Sequence, residues 1–242
     1  EVGFYLLNNF SVYVDGGMLL VYLVCGALIS AFTLLAAINL GLNPCYFFAI
    51  IMPFHIVMLA VSGIRQGVAE SIVIYAVSNL LRNREGRFLL FIILGTMFHS
   101  SALFFSFLYI IGYRKRWLLP AILLLFPLLS SFADDSYGHY LELSLFSQGV
   151  VLRIAILAAL ATIFLFYRNV WREGDFLMDR LYAMSILVVP ILIGLSLIST
   201  TLIDRVAYYF ILISALLLSL LVSDLEDPKW QSITLGVVSS VS

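Results

Sequence analysis

The chain has 242 residues, 63% of them hydrophobic and 11% charged, with a net charge of −1 and a mean hydropathy of +1.09, which excludes a soluble globular domain. Its apolar runs are continuous and rich in Leu, Ile and Val, which excludes the alternating pattern of a membrane β-barrel and leaves an all-α, polytopic integral membrane protein. The basic residues sit in short loops rather than in a stripe, so nucleic-acid binding is excluded as well.

Glu1 to Gly17 lacks the apolar length of a span and ends in a glycine pair, so it reads as an interfacial segment. Met18 to Leu40 is long enough to cross about 30 Å of hydrocarbon. Gly41 to Pro44 is a turn. Tyr46 to Ser62 crosses back, kinked at Pro53 with His55 beside it, and Ile64 to Leu81 follows Gly63. Cys25 and Cys45 lie about 30 Å apart along the first span, too far for a disulfide. The chain opens on Glu1 rather than Met, and no charged-then-apolar signal segment precedes it. The expectation is a single transmembrane domain over 1–242, the C-terminal portion of a longer protein.

Two basic clusters, Arg82 to Arg87 and Arg114 to Arg116, flank the apolar run Arg87 to Tyr113. Both belong on the cytoplasmic side. One crossing between them would put one cluster outside, and two crossings need about 40 residues. The conflict is resolved by a re-entrant hairpin with half-helices at 88–98 and 100–112, meeting at Gly95 to Ser101 with His99 at the apex. A single long tilted helix is the alternative. Trp117 to Ser131 then runs outward, and Ala133 to Gln148 carries Asp134, Asp135, His139 and Glu142 without a Lys or Arg, as an external loop would. Val150 to Tyr167 returns, Arg168 to Arg180 is a cytoplasmic loop, Leu181 to Ser199 goes out and Asp204 to Val222 comes back. The count is about seven transmembrane helices plus the broken one.

On this topology Arg65, Arg153 and Arg205 each fall near the outer, N-terminal start of a helix, where the helix dipole disfavours a cation. A polyanion bound jointly by helix N-termini and guanidinium forks, such as a diphosphate, would compensate. Plainer readings exist for each residue. Arg65 and Arg153 could be snorkelling anchors, Gln66 and Glu70, spaced i,i+4 on one helix, could hydrogen-bond across helices, His99 could be an interhelical hydrogen-bonding residue, and Arg205 a partner of Asp204. Tyr208 and Tyr209 could belong to an aromatic belt, and His55 and His139 read as structural. No zinc-ligand cluster, nucleophile elbow or phosphate-binding loop is present.

Arg65-Gln66-Gly67-Val68-Ala69 opening a helix, Phe98-His99-Ser100-Ser101-Ala102 after a basic loop, and Asp204-Arg205-Val206-Ala207-Tyr208-Tyr209-Phe210 near the end resemble, in this order, the EpsG/Wzy group of bacterial polysaccharide polymerases. The opening Glu1-Val2-Gly3-Phe4-Tyr5-Leu6-Leu7-Asn8 is similar to an acidic-Gly-aromatic-Leu-Asn stretch of that group, whose members carry further membrane helices before it. The resemblance implies a GT-C-like, metal-independent glycosyltransferase without a cofactor, multi-pass in the bacterial inner membrane. It would join undecaprenyl-diphosphate-linked oligosaccharide repeats into capsule, O-antigen or exopolysaccharide on the periplasmic or outer face, with a flippase and a chain-length regulator as partners. His99 or Glu1 would supply the base, and Arg65, Gln66, Arg153, Arg205 and Tyr209 would hold the diphosphate. An O-antigen ligase-like transferase and a non-catalytic lipid-linked-sugar transporter are the alternatives; the first should carry a long Arg-rich external loop and the second repeat symmetry.

Overall fold

The computed structural model describes residues 1–51, 63–106, 108–109, 149–167, 176–196 and 200–224, and among these residues it is helical with no strand. The expected spans and loops at 52–62, including Pro53 and His55, and at 110–148, including Arg114 to Arg116 and His139, lie outside the described residues. The helices are α1 (Val2–Tyr13), α2 (Gly17–Leu40), α3 (Pro44–Ile51), α4 (Ile64–Leu81), α5 (Glu85–Phe98), α6 (Val150–Phe166), α7 (Phe176–Leu195) and α8 (Thr200–Asp224). Two compact units divide the chain, one of Glu1–Tyr109 with Ala215–Ser242, the other of Ile110–Ser214.

In the first unit the layering inverts that of a soluble protein. α2 is strongly apolar and mostly exposed, with its buried residues confined to one stripe through Val21, Cys25, Ile29, Thr33 and Ala36. α4 carries Gln66, Glu70, Ser71, Ser78 and Asn79, yet almost every residue from Gly67 to Leu80 is buried. With lipid as solvent, the apolar helix faces outward and the polar one is enclosed by protein. The α4 polar groups bond within the helix: Ser71 Oγ donates to the Val68 carbonyl and Asn79 Nδ2 to the Tyr75 carbonyl, each at 2.8 Å. Val68 and Ile72 pack with Val21, Cys25 and Ile29, and Phe4, Phe32, Phe91 and Phe98 close around them.

α2 and α4 run parallel, because Asn39 near the end of one reaches Ser78 near the end of the other at 3.0 Å. Gly41 ends α2 at φ 74°, a left-handed cap that favours glycine. The α4–α5 turn then closes this end of the bundle. Arg82 Nε donates to the Asn39 carbonyl at 3.0 Å and Arg84 Nη1 to Asn39 Oδ1 at 3.1 Å, placing cations at the negative end of α2.

α5 ends at Phe98, and His99 takes extended backbone at φ −151°, ψ 126°. A 3-10 helix, Ser100–Ser106, follows and doubles back along α5. Tyr109 stacks on Phe88 with ring centroids 6.3 Å apart, and its hydroxyl donates to Glu85 Oε2 at 2.5 Å. The chain therefore returns to the end of α5 from which it left, with His99 at the reversal. The hairpin differs from expectation in two details. Its first arm begins at Glu85 rather than at 88, and the described start of its second arm is 3-10 rather than α-helical. Gly95, expected to loosen the helix, lies inside it: a Cβ there would stand 3.2 Å from Ala102 Cβ and 3.4 Å from the Ala69 carbonyl oxygen. Its smallness lets α4 and the returning arm approach.

In the second unit α6 packs against α7, with Phe164 and Tyr182 edge to face at 5.0 Å. α7 begins at Phe176, so the end of the expected Arg168–Arg180 loop is helical. Among the described residues, two helical stretches, Gly17–Leu40 and Leu177–Gly194, are long and apolar enough to cross a membrane. Both cysteines are free, Cys25 buried and Cys45 exposed.

Candidate functional site

The end of the first unit opposite Asn39 gathers polar groups from three elements. Glu1, at the start of α1, accepts from Arg65 Nη1 on Oε2 at 2.7 Å and bonds His99 Nδ1 through Oε1 at 2.8 Å. Arg65 is the second residue of α4, whose N-terminus has no side-chain cap and no acidic residue in its first turn. A guanidinium there works against the helix dipole, and the Glu1 carboxylate offsets that cost. Phe4 lies beneath it, with the Arg65 guanidinium carbon 5.3 Å from the ring centroid. His99 reaches the same carboxylate because its extended backbone leaves the α5 axis.

Close backbone approach makes the meeting possible. A Cβ on Gly3 would stand 3.2 Å from the Met97 carbonyl oxygen, so a glycine is what allows α1 to lie against the end of α5. The three side chains then form a graded series from water inward: Arg65 is 56% exposed, Glu1 28% and His99 13%. An ionised carboxylate can only accept, so the imidazole presents its Nδ1–H to Glu1, and in its neutral form its lone pair is then on Nε2. This orienting of an imidazole by a carboxylate is the logic by which a histidine is prepared to take a proton.

One turn further along α4, Gln66 Nε2 donates to Glu70 Oε1 at 2.8 Å, and Glu70 is fully buried. This bond lies within α4 at i,i+4 rather than across helices.

The second unit carries the other arginines. Arg153 is the fourth residue of α6, and its guanidinium lies over the Tyr208 ring at 3.9 Å from the centroid and donates to the Tyr208 hydroxyl. A Cβ on Gly149 would stand 2.5 Å from Arg153 Nη1, so the guanidinium folds back over the glycine at its own helix start. Tyr209 is buried. Arg205 falls on α8, and its side chain lies outside the described residues.

Of the expected site residues, the structure brings Glu1, Arg65 and His99 into direct contact and puts Gln66 beside Arg65 in the chain. Sequence reasoning overlooked Phe4 and Gly149 as contacts of the arginines, and it read Tyr208 as part of an aromatic belt rather than as the partner of Arg153. Phe4 could have been found from its place three residues after Glu1 on one helix face, and Gly149 from its place four residues before Arg153. Among the described residues no group of three or more His, Cys, Asp or Glu side chains could hold a metal ion.

Fold and site together define an all-helical membrane protein with a cation, a carboxylate and an imidazole joined at a helix reversal. The model of the EpsG family matches residues 1–241, and the chain belongs to that family, the family of Wzy-type polysaccharide polymerases. No curated protein and no solved structure matches it. Membership places the chain among membrane proteins of surface polysaccharide synthesis.

Proposed function

We propose that this protein is the polymerase that joins undecaprenyl-diphosphate-linked oligosaccharide repeats at the outer face of the bacterial inner membrane, as a multi-pass enzyme of about seven spans. The observation that carries the reading is the Arg65–Glu1–His99 chain of contacts at 2.7 and 2.8 Å, in a member of the EpsG family. It joins the two things the reaction requires.

The acceptor is a hydroxyl on the non-reducing sugar of one repeat. Its oxygen attacks the anomeric carbon of the growing chain, and the bond from that carbon to the diphosphate oxygen breaks. The electron pair leaves with undecaprenyl diphosphate, and the hydroxyl proton passes to His99 Nε2. Glu1 holds the imidazole through Nδ1 and stabilises the imidazolium that forms. The leaving group is a stabilised anion that needs cation contacts rather than a proton, and Arg65 meets the charge as it develops. Gln66, anchored on Glu70, enters as a polar neighbour of Arg65, and Arg153, Arg205 and Tyr209 are assigned to diphosphate binding on the strength of the family resemblance. The step as written uses no metal and no cofactor. A lipid-linked-sugar flippase would supply the repeats, and a chain-length regulator is an expected partner.

The test is complementation of a host whose surface polysaccharide depends on this gene, with Arg65→Ala, His99→Ala or Arg205→Ala. Single-repeat glycans at the surface, with the protein present in the membrane, are the expected outcome. Long chains in all three variants would show that these residues are anchors. Loss of even single repeats would point instead to transport or ligation.

A further inference from the structure

The Glu1 carboxylate is divided between two partners, one oxygen on Arg65 and the other on His99. That division is unfavourable to a site whose arginine must receive a diphosphate. While Glu1 is paired with Arg65, the arginine's charge is neutralised locally, and part of the carboxylate's charge is drawn away from the imidazole. We infer that Glu1 is an internal competitor for Arg65, displaced by the donor diphosphate and thereby given wholly to His99. The inference rests on the proposed function, in which Arg65 takes the diphosphate.

Three observations support the exchange. The Arg65 side chain is 56% exposed, and ion pairs at that exposure are weak enough to be replaced by a better anion. A diphosphate offers two adjacent charges and several acceptor oxygens to one guanidinium fork, where Glu1 offers a single oxygen at 2.7 Å. Once displaced, the carboxylate is not stranded, because its other oxygen stays on His99 Nδ1 at 2.8 Å. The consequence is ordered chemistry: full negative charge falls beside the imidazole only when the donor is in place, so the acceptor hydroxyl is activated against a loaded donor and not against an empty site. Glu1 is then a positioning residue for the base and a brake on donor binding.

This assigns Glu1→Gln an unusual phenotype, tighter anion binding with slower turnover. The experiment measures inorganic pyrophosphate binding calorimetrically to the full chain in phosphatidylcholine nanodiscs. It compares wild type, Glu1→Gln, Arg65→Ala, Arg65→Gln and the Glu1→Gln/Arg65→Ala double variant, each with its melting temperature and with turnover on lipid-linked repeats. The expected result is pyrophosphate binding about two- to fivefold tighter in Glu1→Gln, the range that an exposed ion pair spans, together with a lower kcat. In the Arg65→Ala background the same Glu1→Gln change should add nothing. Unchanged or weaker binding in Glu1→Gln would overturn the inference, as would a gain that persists without Arg65, since that is general repulsion by Glu1 rather than competition. If Arg65→Ala and Arg65→Gln bind pyrophosphate like wild type, the assignment of the diphosphate to Arg65 itself fails, and the inference falls with it.

Discussion

His99 bonds the Glu1 carboxylate and stands at the point where a helix stops, and as the proposed base its loss should be read in the chemistry. His99→Ala is expected to lower turnover by about 10²- to 10⁴-fold, the range for a general base, with protein level in the membrane unchanged. Measured kcat at saturating donor checks it. Arg153 makes a different prediction, about stability. Its guanidinium rests over Tyr208 and over the space that a side chain at Gly149 would occupy. Gly149→Ala should therefore displace it and cost roughly 0.5–1 kcal/mol, the worth of an exposed cation–π contact. The same substitution in an Arg153→Ala background should be neutral, and thermal melting of the four proteins would show the non-additivity.

The hairpin of α5 and the returning arm is the element on which the site depends. Gly95→Val introduces bulk 3.2 Å from Ala102 Cβ and 3.4 Å from the Ala69 carbonyl oxygen. Overpacking there should cost about 1–3 kcal/mol and move His99 off Glu1, with Ala102→Gly restoring part of both melting temperature and turnover. The reversal was legible in the sequence, because two basic clusters demanded the same side of the membrane and Gly95, Ser100 and Ser101 stood between them. The reason for Gly95 was not legible. A glycine in an apolar run signals either a break or a close approach, and only the neighbours Ala69 and Ala102 decide for the second. At the other end of the bundle, Asn39→Ala removes the side-chain bonds to Ser78 and Arg84. It should destabilise by about 1–3 kcal/mol, read from denaturation in detergent.

In the first unit two sets of polar contacts stand at opposite ends: Glu1, Arg65 and His99 at one, Asn39, Arg82, Arg84 and the Glu85–Tyr109 contact at the other. The 18 residues of α4 put about 27 Å between them, close to the thickness of the hydrocarbon. Positive charge in short loops marks the cytoplasmic side, so the proposed function expects the site end to face out. Single cysteines in a Cys45→Ser background test this, since Cys45 is exposed and Cys25 is buried. A membrane-impermeant thiol reagent applied to intact cells should label Ser100→Cys and leave Arg84→Cys and Tyr109→Cys unmodified. Labelling of Tyr109→Cys from outside would remove the re-entrant arrangement.

By itself the sequence determined the solvent, the class of secondary structure and the family. Continuous apolar runs have a meaning only in lipid, and the order of short motifs from Arg65 to Phe210 survives without coordinates. It also supplied Arg65, His99 and Glu1 as separate candidates, each for a local reason: a cation at a helix start, a histidine in a break, an acid in a motif. Their union was decided by tertiary structure alone. Glu1 lies 64 positions from Arg65 and 98 from His99, and no local pattern encodes a contact across such a distance. It follows from Gly3 lying against Met97, from α4 and α5 folding as a pair, and from lipid leaving the polar helix α4 nowhere to go but the centre.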